Sequence, residues 1–306
     1  MLKNFKLLAF VLPLAIFAGS CSGDKGDRIP GAAVSPSGFQ YVLHTNVGGT
    51  KPQISDIVFF SADIRNRDSV VLTTRSQENL PYTPIVDPAM TVNDPSPIME
   101  VVMNMAVGDS ATIYIRIDTV ANIPPGFENE KFLMYDLVVR EIKTQTQFVE
   151  EQQALEEEMM ARMEMVKERY EPVNADLSAR VDAYNAKKLD DQITETVSGL
   201  KYIIHEQGTG PKAEAGDFVS VHYHGMLTNK EVFDSSFRPG QPINFTLGAG
   251  QVILGWDEGL AELNQGGRMT LFIPAALGYG ADGSGPIPPN AELVFYVELE
   301  EVKKPN

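Results

Sequence analysis

The chain has 306 residues, of which 43% are hydrophobic and 22% charged. That fits about two globular domains at ~150 residues each and excludes a wholly disordered, collagen-like or multi-spanning membrane protein. With 25 Lys and Arg against 41 Asp and Glu the formal charge is −16, a surface that repels phosphate backbones and argues against nucleic acid as a partner.

The first twenty residues read as an export signal. Lys3 and Lys6 supply a positive start, Leu7 to Phe17 are apolar apart from Pro13, and Ala18-Gly19-Ser20 are small. An apolar run of about 11 residues is too short for a bilayer span, which takes ~20, but suits a secretory core. Cys21, the one cysteine of the chain, follows directly. No intramolecular disulfide can form, and the arrangement resembles a bacterial lipoprotein signal, in which this cysteine carries the lipid. Residues 21–32 then read as a polar, flexible tether.

A long internal repeat organises the rest. Ser37-Gly38-Phe39-Gln40-Tyr41-Val42-Leu43-His44 recurs as Ser198-Gly199-Leu200-Lys201-Tyr202-Ile203-Ile204-His205, an offset of 161. The same offset carries Asp56-Ile57-Val58 onto Asp217-Phe218-Val219 and Val71-Leu72 onto Val232-Phe233, and Ile123-Pro124-Pro125 echoes Ile287-Pro288-Pro289. Two copies of one domain are expected, over residues 33–146 and 196–306.

Residues 147–195 differ from both copies. They hold no glycine, one proline, and 13 acidic against 6 basic residues. Phe148, Leu155, Met159, Met163, Val166 and Tyr170 recur at helical spacing, and Thr144 with Gln147 fits a capping box. Pro172 should end or kink that helix; Val173, Leu177, Val181 and Tyr184 mark a second stripe. The copies are thus expected to be joined by two acidic helices. The cluster Met159-Met160-Met163-Met165 reads either as a docking or dimer seam or as an adaptable surface for unfolded chains.

The second copy is strand-rich. Val219, Val221 and Tyr223 alternate with Ser220, His222 and His224, the period of a half-buried strand. Met269, Leu271 and Ile273 repeat it, as do Leu293, Phe295, Val297 and Leu299. Val252 to Leu263 reads as a short helix closed by Gly266-Gly267. This is an α+β pattern, an antiparallel sheet wrapped on a short helix. Three features carry no chemistry of their own. Asp234 beside Ser235 and Ser236 lacks a general base. The G-x-G-x-x-G of Gly278 to Gly283 runs into prolines where a dinucleotide site needs a helix. His222 and His224 have no third ligand at metal spacing.

Several motifs then fall in one order: Val221-His222-Tyr223-His224-Gly225-Met226-Leu227, Phe233-Asp234-Ser235-Ser236, Val252-Ile253-Leu254-Gly255-Trp256-Asp257-Glu258-Gly259-Leu260, Gly278-Tyr279-Gly280, Ile287-Pro288-Pro289-Asn290-Ala291 and Leu293-Val294-Phe295. The second copy resembles the FKBP-type peptidyl-prolyl isomerases over essentially its whole length. The resemblance implies two FKBP-like domains with a helical linker, and an isomerase that uses neither metal nor cofactor. It places Trp256 at the floor of a proline pocket and Tyr223, Phe233, Ile243, Val252, Ile253, Tyr279, Ile287 and Phe295 around it. The Ile253 N–H and the Tyr279 hydroxyl would hold substrate carbonyls, and Asp234 would be the single buried carboxylate. Ile243 stands where the family often has Phe. Pro239 stands where it commonly has the arginine that pairs with the aspartate, with Arg238 one residue early.

In the first copy the repeat puts Ala62 at Tyr223, Leu72 at Phe233, Thr73 at Asp234 and Ile98 at Trp256, a fold that has lost the pocket. The sequence therefore suggests a lipid-anchored protein of a bacterial cell envelope. Its expected partners are unfolded or nascent exported proteins with X–Pro bonds, FK506-type ligands by resemblance, and the membrane through Cys21; a homodimer stays open. The alternative is a non-catalytic chaperone or scaffold that grips proline-containing segments.

Overall fold

The computed structural model describes residues 28–77, 79–91, 94–118, 123 and 125–305, so the export signal and Cys21 lie outside the described residues. The chain divides into two compact units, residues 1–154 and 155–306.

In the first unit the strands are β1 (Ala33–Val34), β2 (Gln40–Thr45), β3 (Ile57–Arg65), β4 (Val70–Thr73) and β5 (Tyr82–Pro84). The short helix α1 (Pro97–Val102) precedes β6 (Ser110–Arg116) and β7 (Phe132–Lys143). Two helices follow, α2 (Gln145–Glu168) and α3 (Tyr170–Asn185). The second unit then repeats the first as β8 (Thr194–Glu195), β9 (Lys201–Glu206), β10 (Phe218–Leu227), β11 (Val232–Ser235) and β12 (Ile243–Thr246). It closes with α4 (Leu254–Leu260), β13 (Arg268–Ile273) and β14 (Leu293–Lys303).

The two sheets have one topology. The first runs β1-β2-β6-β7-β3-β4 with β5 also on β3. The second runs β8-β9-β13-β14-β10-β11 with β12 also on β10. All pairings are antiparallel. Even small hydrogen bonds recur. His44 Nε2 lies 2.7 Å from Thr112 Oγ1 and His205 Nε2 lies 2.8 Å from Thr270 Oγ1. The Ser37 hydroxyl donates to Glu100 as the Ser198 hydroxyl does to Glu258, which sets Ile98 in the place of Trp256.

One part of the repeat is not in the expected register. Gly225 pairs with Asp234 and Ile64 with Leu72: nine positions separate the first pair and eight the second. The Tyr223 N–H donates to Ser236 Oγ, and the Ala62 N–H donates to Thr74 Oγ1. The first hairpin is therefore one residue shorter. Asp234 corresponds to Leu72 and Phe233 to Val71, not to Thr73 and Leu72. The site remains absent from the first unit, but a different residue occupies the carboxylate position.

The helices follow their local chemistry. Gln147 and Thr144 cap α2 reciprocally, through Thr144 N–H to Gln147 Oε1 at 2.9 Å and Gln147 N–H to Thr144 Oγ1 at 3.2 Å. Pro172 sits in the first turn of α3. It has no N–H for the Glu168 carbonyl four residues back, and Glu168 is the last residue of α2. The dividing point between the units falls inside α2. Its first turns pack Phe148 against Tyr82 and Phe59, with ring centroids 5.1 and 6.1 Å apart. From residue 155 on, the expected stripe starts open to solvent, Leu155 being 59% exposed and Met159 40%, and closes toward its end, where Met163 and Tyr170 are half-buried and Val166 is buried.

α3 is more than a connector. Leu177 and Val181 are fully buried, in one cluster with Ile203, Met226, Phe272 and Val294 from the outer face of the second sheet. Each contributes roughly 1.5–3 kcal/mol by leaving water. The principal core, between the other face and α4, includes Leu200, Val221, Trp256, Leu260, Leu271 and Phe295. Hence β10 is buried on both faces, not half-buried as its alternation suggests. His222 and His224 lie inside the protein. Burial lowers both imidazole pKa values, that of His224 to about 4. Burial likewise takes His205 to about 4.

Candidate active site

Tyr223, Phe245 and Phe295 converge on Trp256, which α4 carries into the core. The indole is 4% exposed. Tyr223 of β10 meets it edge-on at 5.0 Å and Phe295 of β14 at 5.3 Å. Phe233 of β11 stands edge-on to Phe295 at 5.2 Å. Such near-perpendicular pairs put ring edges against ring faces, the favoured quadrupole arrangement. Two glycines make the enclosure. A Cβ on Gly225 would lie 2.6 Å from the Phe295 ring and 2.7 Å from that of Phe233. A Cβ on Gly255 would lie 2.6 Å from the Ile273 side chain, so Gly255 lets α4 approach β13.

The polar equipment is sparse. The Tyr223 hydroxyl donates to Asp234 Oδ2 at 2.6 Å, and the Ser235 N–H donates to Oδ1 at 2.8 Å. Burial, followed by this bond to a carboxylate, holds the Tyr223 hydroxyl well above the ordinary phenol range. Asp234 itself is exposed. The expected single buried carboxylate is thus corrected on two counts, because Asp217 and Glu298 are the buried carboxylates of this unit. Strand β11 lies at the sheet edge, where Asp234 meets solvent. Trp256 Nε1–H is buried with no hydrogen-bond partner among the described residues.

A cleft of about 500 Å³ opens beside these residues. Tyr223, Phe233, Asp234 and Ile243 line it, as do Ser235, Ser236, Arg238, Pro239, Gln241 and Pro242. Trp256 and Phe295 stand behind Tyr223 and Phe233. Ile287 belongs to the core around Trp256, and the half-buried Val252 and Ile253 pack against it. Ile253 is the residue before the first turn of α4, and its N–H has no acceptor among the described residues. Tyr279 is 40% exposed and close enough to Tyr223 to act on it electrostatically.

Ser235 and Ser236 are fasteners. The Ser236 hydroxyl takes the Tyr223 N–H at 2.7 Å and lies 2.9 Å from His222 Nδ1, while Ser235 Oγ lies 2.9 Å from His224 Nδ1. No group of three or more His, Cys, Asp or Glu is placed to hold a metal among the described residues. The glycine-rich Gly278–Gly283 segment is a loop that opens no helix.

The sequence indicates both helices, but not that they back the cleft. The turn from Arg238 to Gln241 rests on α2 and α3: Arg238 on Tyr170, and Gln241 Nε2 donating to Met163 Sδ at 3.4 Å.

Residues 210–300 match the family model described as FKBP-type peptidyl-prolyl cis-trans isomerase. FK506-binding protein 1 of Dictyostelium discoideum is 54% identical over 102 residues, covering 33% of this chain and 95% of that one. The chain belongs to the FKBP-type peptidyl-prolyl cis-trans isomerases. The isomerase FkpA of Aeromonas hydrophila is 47% identical over 123 residues, 40% of this chain and 44% of that one, so the chain spans less than half of that relative. The crystal structure of FkpA from Escherichia coli is 35% identical, covering 53% of this chain and 74% of that one with a TM-score of 0.38. The family match falls in the second unit; the first has the same strand order with Ala62, Val71, Leu72 and Ile98 where the second has Tyr223, Phe233, Asp234 and Trp256.

Proposed function

We propose that the second unit turns X–Pro bonds of unfolded, exported polypeptides between cis and trans, with Tyr223, Phe233, Asp234, Ile253, Trp256, Tyr279 and Phe295 as its working residues. Ile243, Val252 and Ile287 contribute apolar contact. The observation that supports it most is the ring cluster around a buried Trp256 whose indole N–H has no partner among the described residues. An amide twisted out of plane loses resonance, at a barrier of ~18–20 kcal/mol. Its carbonyl is less polar than that of the planar amide, so a dry aromatic wall favours it over the ground state. Every 1.36 kcal/mol of that preference is about tenfold in rate. No nucleophile or proton is needed, which suits a site with one exposed carboxylate.

The test is catalysed isomerisation of a short X–Pro peptide by the full-length chain, with an FK506-type ligand as competitor. Catalysis that the ligand abolishes is the expected result. Binding without catalysis would favour the alternative, a chaperone or scaffold that grips proline-containing segments. The Met side chains open to solvent on α2, Met159, Met160 and Met165, suit a role in holding clients as well.

The anchor belongs to the same proposal. Cys21 carries lipid and ties the protein to the cell envelope. No described helix is long and apolar enough to cross a membrane. Cys21→Ser is expected to move the protein from the membrane to the soluble fraction, because a stable anchor needs two or more acyl chains and the thiol is their attachment point. Wild-type protein already soluble, with another mature N-terminus, would remove the anchor from the proposal.

A further inference from the structure

Two charged side chains line the cleft, Asp234 and Arg238. Both oxygens of Asp234 are engaged, by the Tyr223 hydroxyl and the Ser235 N–H. Arg238 makes no ion pair among the described residues, although the chain carries a net charge of −16. One of its five N–H groups is taken: Nη2 donates to the Tyr170 hydroxyl at 2.7 Å. The guanidinium also lies over the Tyr170 ring, 5.0 Å from the centroid, as a cation on a π face.

Tyr170 is itself fixed. Its ring stands edge-on to the buried His224 ring at 5.3 Å and 78°. The His224 Nε2 lies 3.2 Å from Asn174 Oδ1, one turn further along α3, and Nδ1 lies 2.9 Å from Ser235 Oγ. A helix outside the family-matching segment thus holds a cation, with most of its donors free, at the rim of the proline cleft.

We propose that Arg238, oriented by Tyr170, selects X–Pro segments bearing a carboxylate side chain next to the proline. The inference rests on the isomerase reading above. Arg238 is the specificity determinant and would touch the substrate; Tyr170 is a positioning residue. Planar guanidinium suits a carboxylate, which it can meet with two parallel hydrogen bonds. The pair forms before the amide turns and persists through the turn, so it should appear in KM and leave kcat alone.

The experiment compares two peptides that differ only in Glu against Gln, once on the N-terminal side of the proline and once on the C-terminal side, using the full chain. In one of these registers kcat/KM for Glu should exceed that for Gln by roughly two- to fivefold, the range an exposed ion pair gives. The excess should sit in KM and shrink in high salt. Arg238→Gln should bring the ratio to one or below, since the remaining charge of the chain repels the Glu peptide. Tyr170→Phe keeps the ring but frees the guanidinium and should lose part of the preference. Reading a ratio cancels any loss of overall rate. The same Glu-to-Gln ratio in wild type and Arg238→Gln, in both registers, would overturn the inference while leaving the isomerase reading intact. No catalysis of any peptide would overturn both.

Discussion

Leu177→Ala in the full-length chain is expected to destabilise the second unit by about 2–5 kcal/mol, as large-to-small changes at fully buried sites do. Leu177 is wholly buried against the outer face of the sheet, beside Ile203, Met226, Phe272 and Val294. The loss combines transfer of the missing carbons with a cavity that the rigid strands cannot close. Leu155→Ala, on the preceding helix, is the matched control. At 59% exposure it should change stability by no more than ~0.5 kcal/mol. Chemical denaturation, followed through the second unit, reads both. Equal, small effects would mean that α3 only leans on the sheet. By the same reasoning a fragment starting at residue 196 lacks the cover of its own sheet, and one starting at residue 155 keeps it.

Asp234→Val is expected to lower kcat/KM for a short X–Pro peptide at least tenfold, about 1.4 kcal/mol of transition-state stabilisation. The change removes the acceptor of the Tyr223 hydroxyl and leaves that group in an apolar wall without its partner. Asp234 is exposed, so the fold should tolerate the loss, and unchanged denaturation would separate the catalytic effect from a structural one. Leu72→Val in the first unit should leave the rate untouched, because Leu72 holds the corresponding strand position in a unit without the aromatic ring set. Full activity in the Asp234 variant, or strong loss in the Leu72 variant, would show that the carboxylate or the unit was wrongly chosen.

Much of this was legible in the amino-acid order. The Ser37 to His44 segment and its echo 161 residues later foretold two sheets of one topology, because strand pairing and turn spacing travel together with the apolar pattern. Two points were not legible. The hairpin between β3 and β4 is a residue short, and matching Val71-Leu72 to Val232-Phe233 by hydrophobicity slides the register by one. In a strand a slip of one moves a side chain to the opposite face, so the wrong residue was set at the carboxylate position. The second point is the outer face of β10. His222 and His224 alternate with apolar residues and read as solvent-facing, whereas Phe237 stacks on His222 and α3 reaches His224 through Asn174, 50 positions upstream. Period-two patterning records polarity, and a neutral buried histidine satisfied by Ser235 or Ser236 looks the same in sequence as a wet one. The site itself shows a similar limit. Its rings were recognisable one by one, but the support of Arg238 by Tyr170 spans 68 positions and has no motif.

The chain contains a single tryptophan, and it stands at the centre of the ring cluster. Trp256 is therefore a built-in optical label. Light that excites indole alone sees the second unit and nothing of the first, whose aromatic residues are Phe and Tyr. Emission from that one buried ring should move when the cleft fills and shift to longer wavelength when the second unit opens to water. Far-ultraviolet circular dichroism, which reads the backbone of both units, supplies the other channel: a transition seen there and not in the indole emission belongs to the first unit.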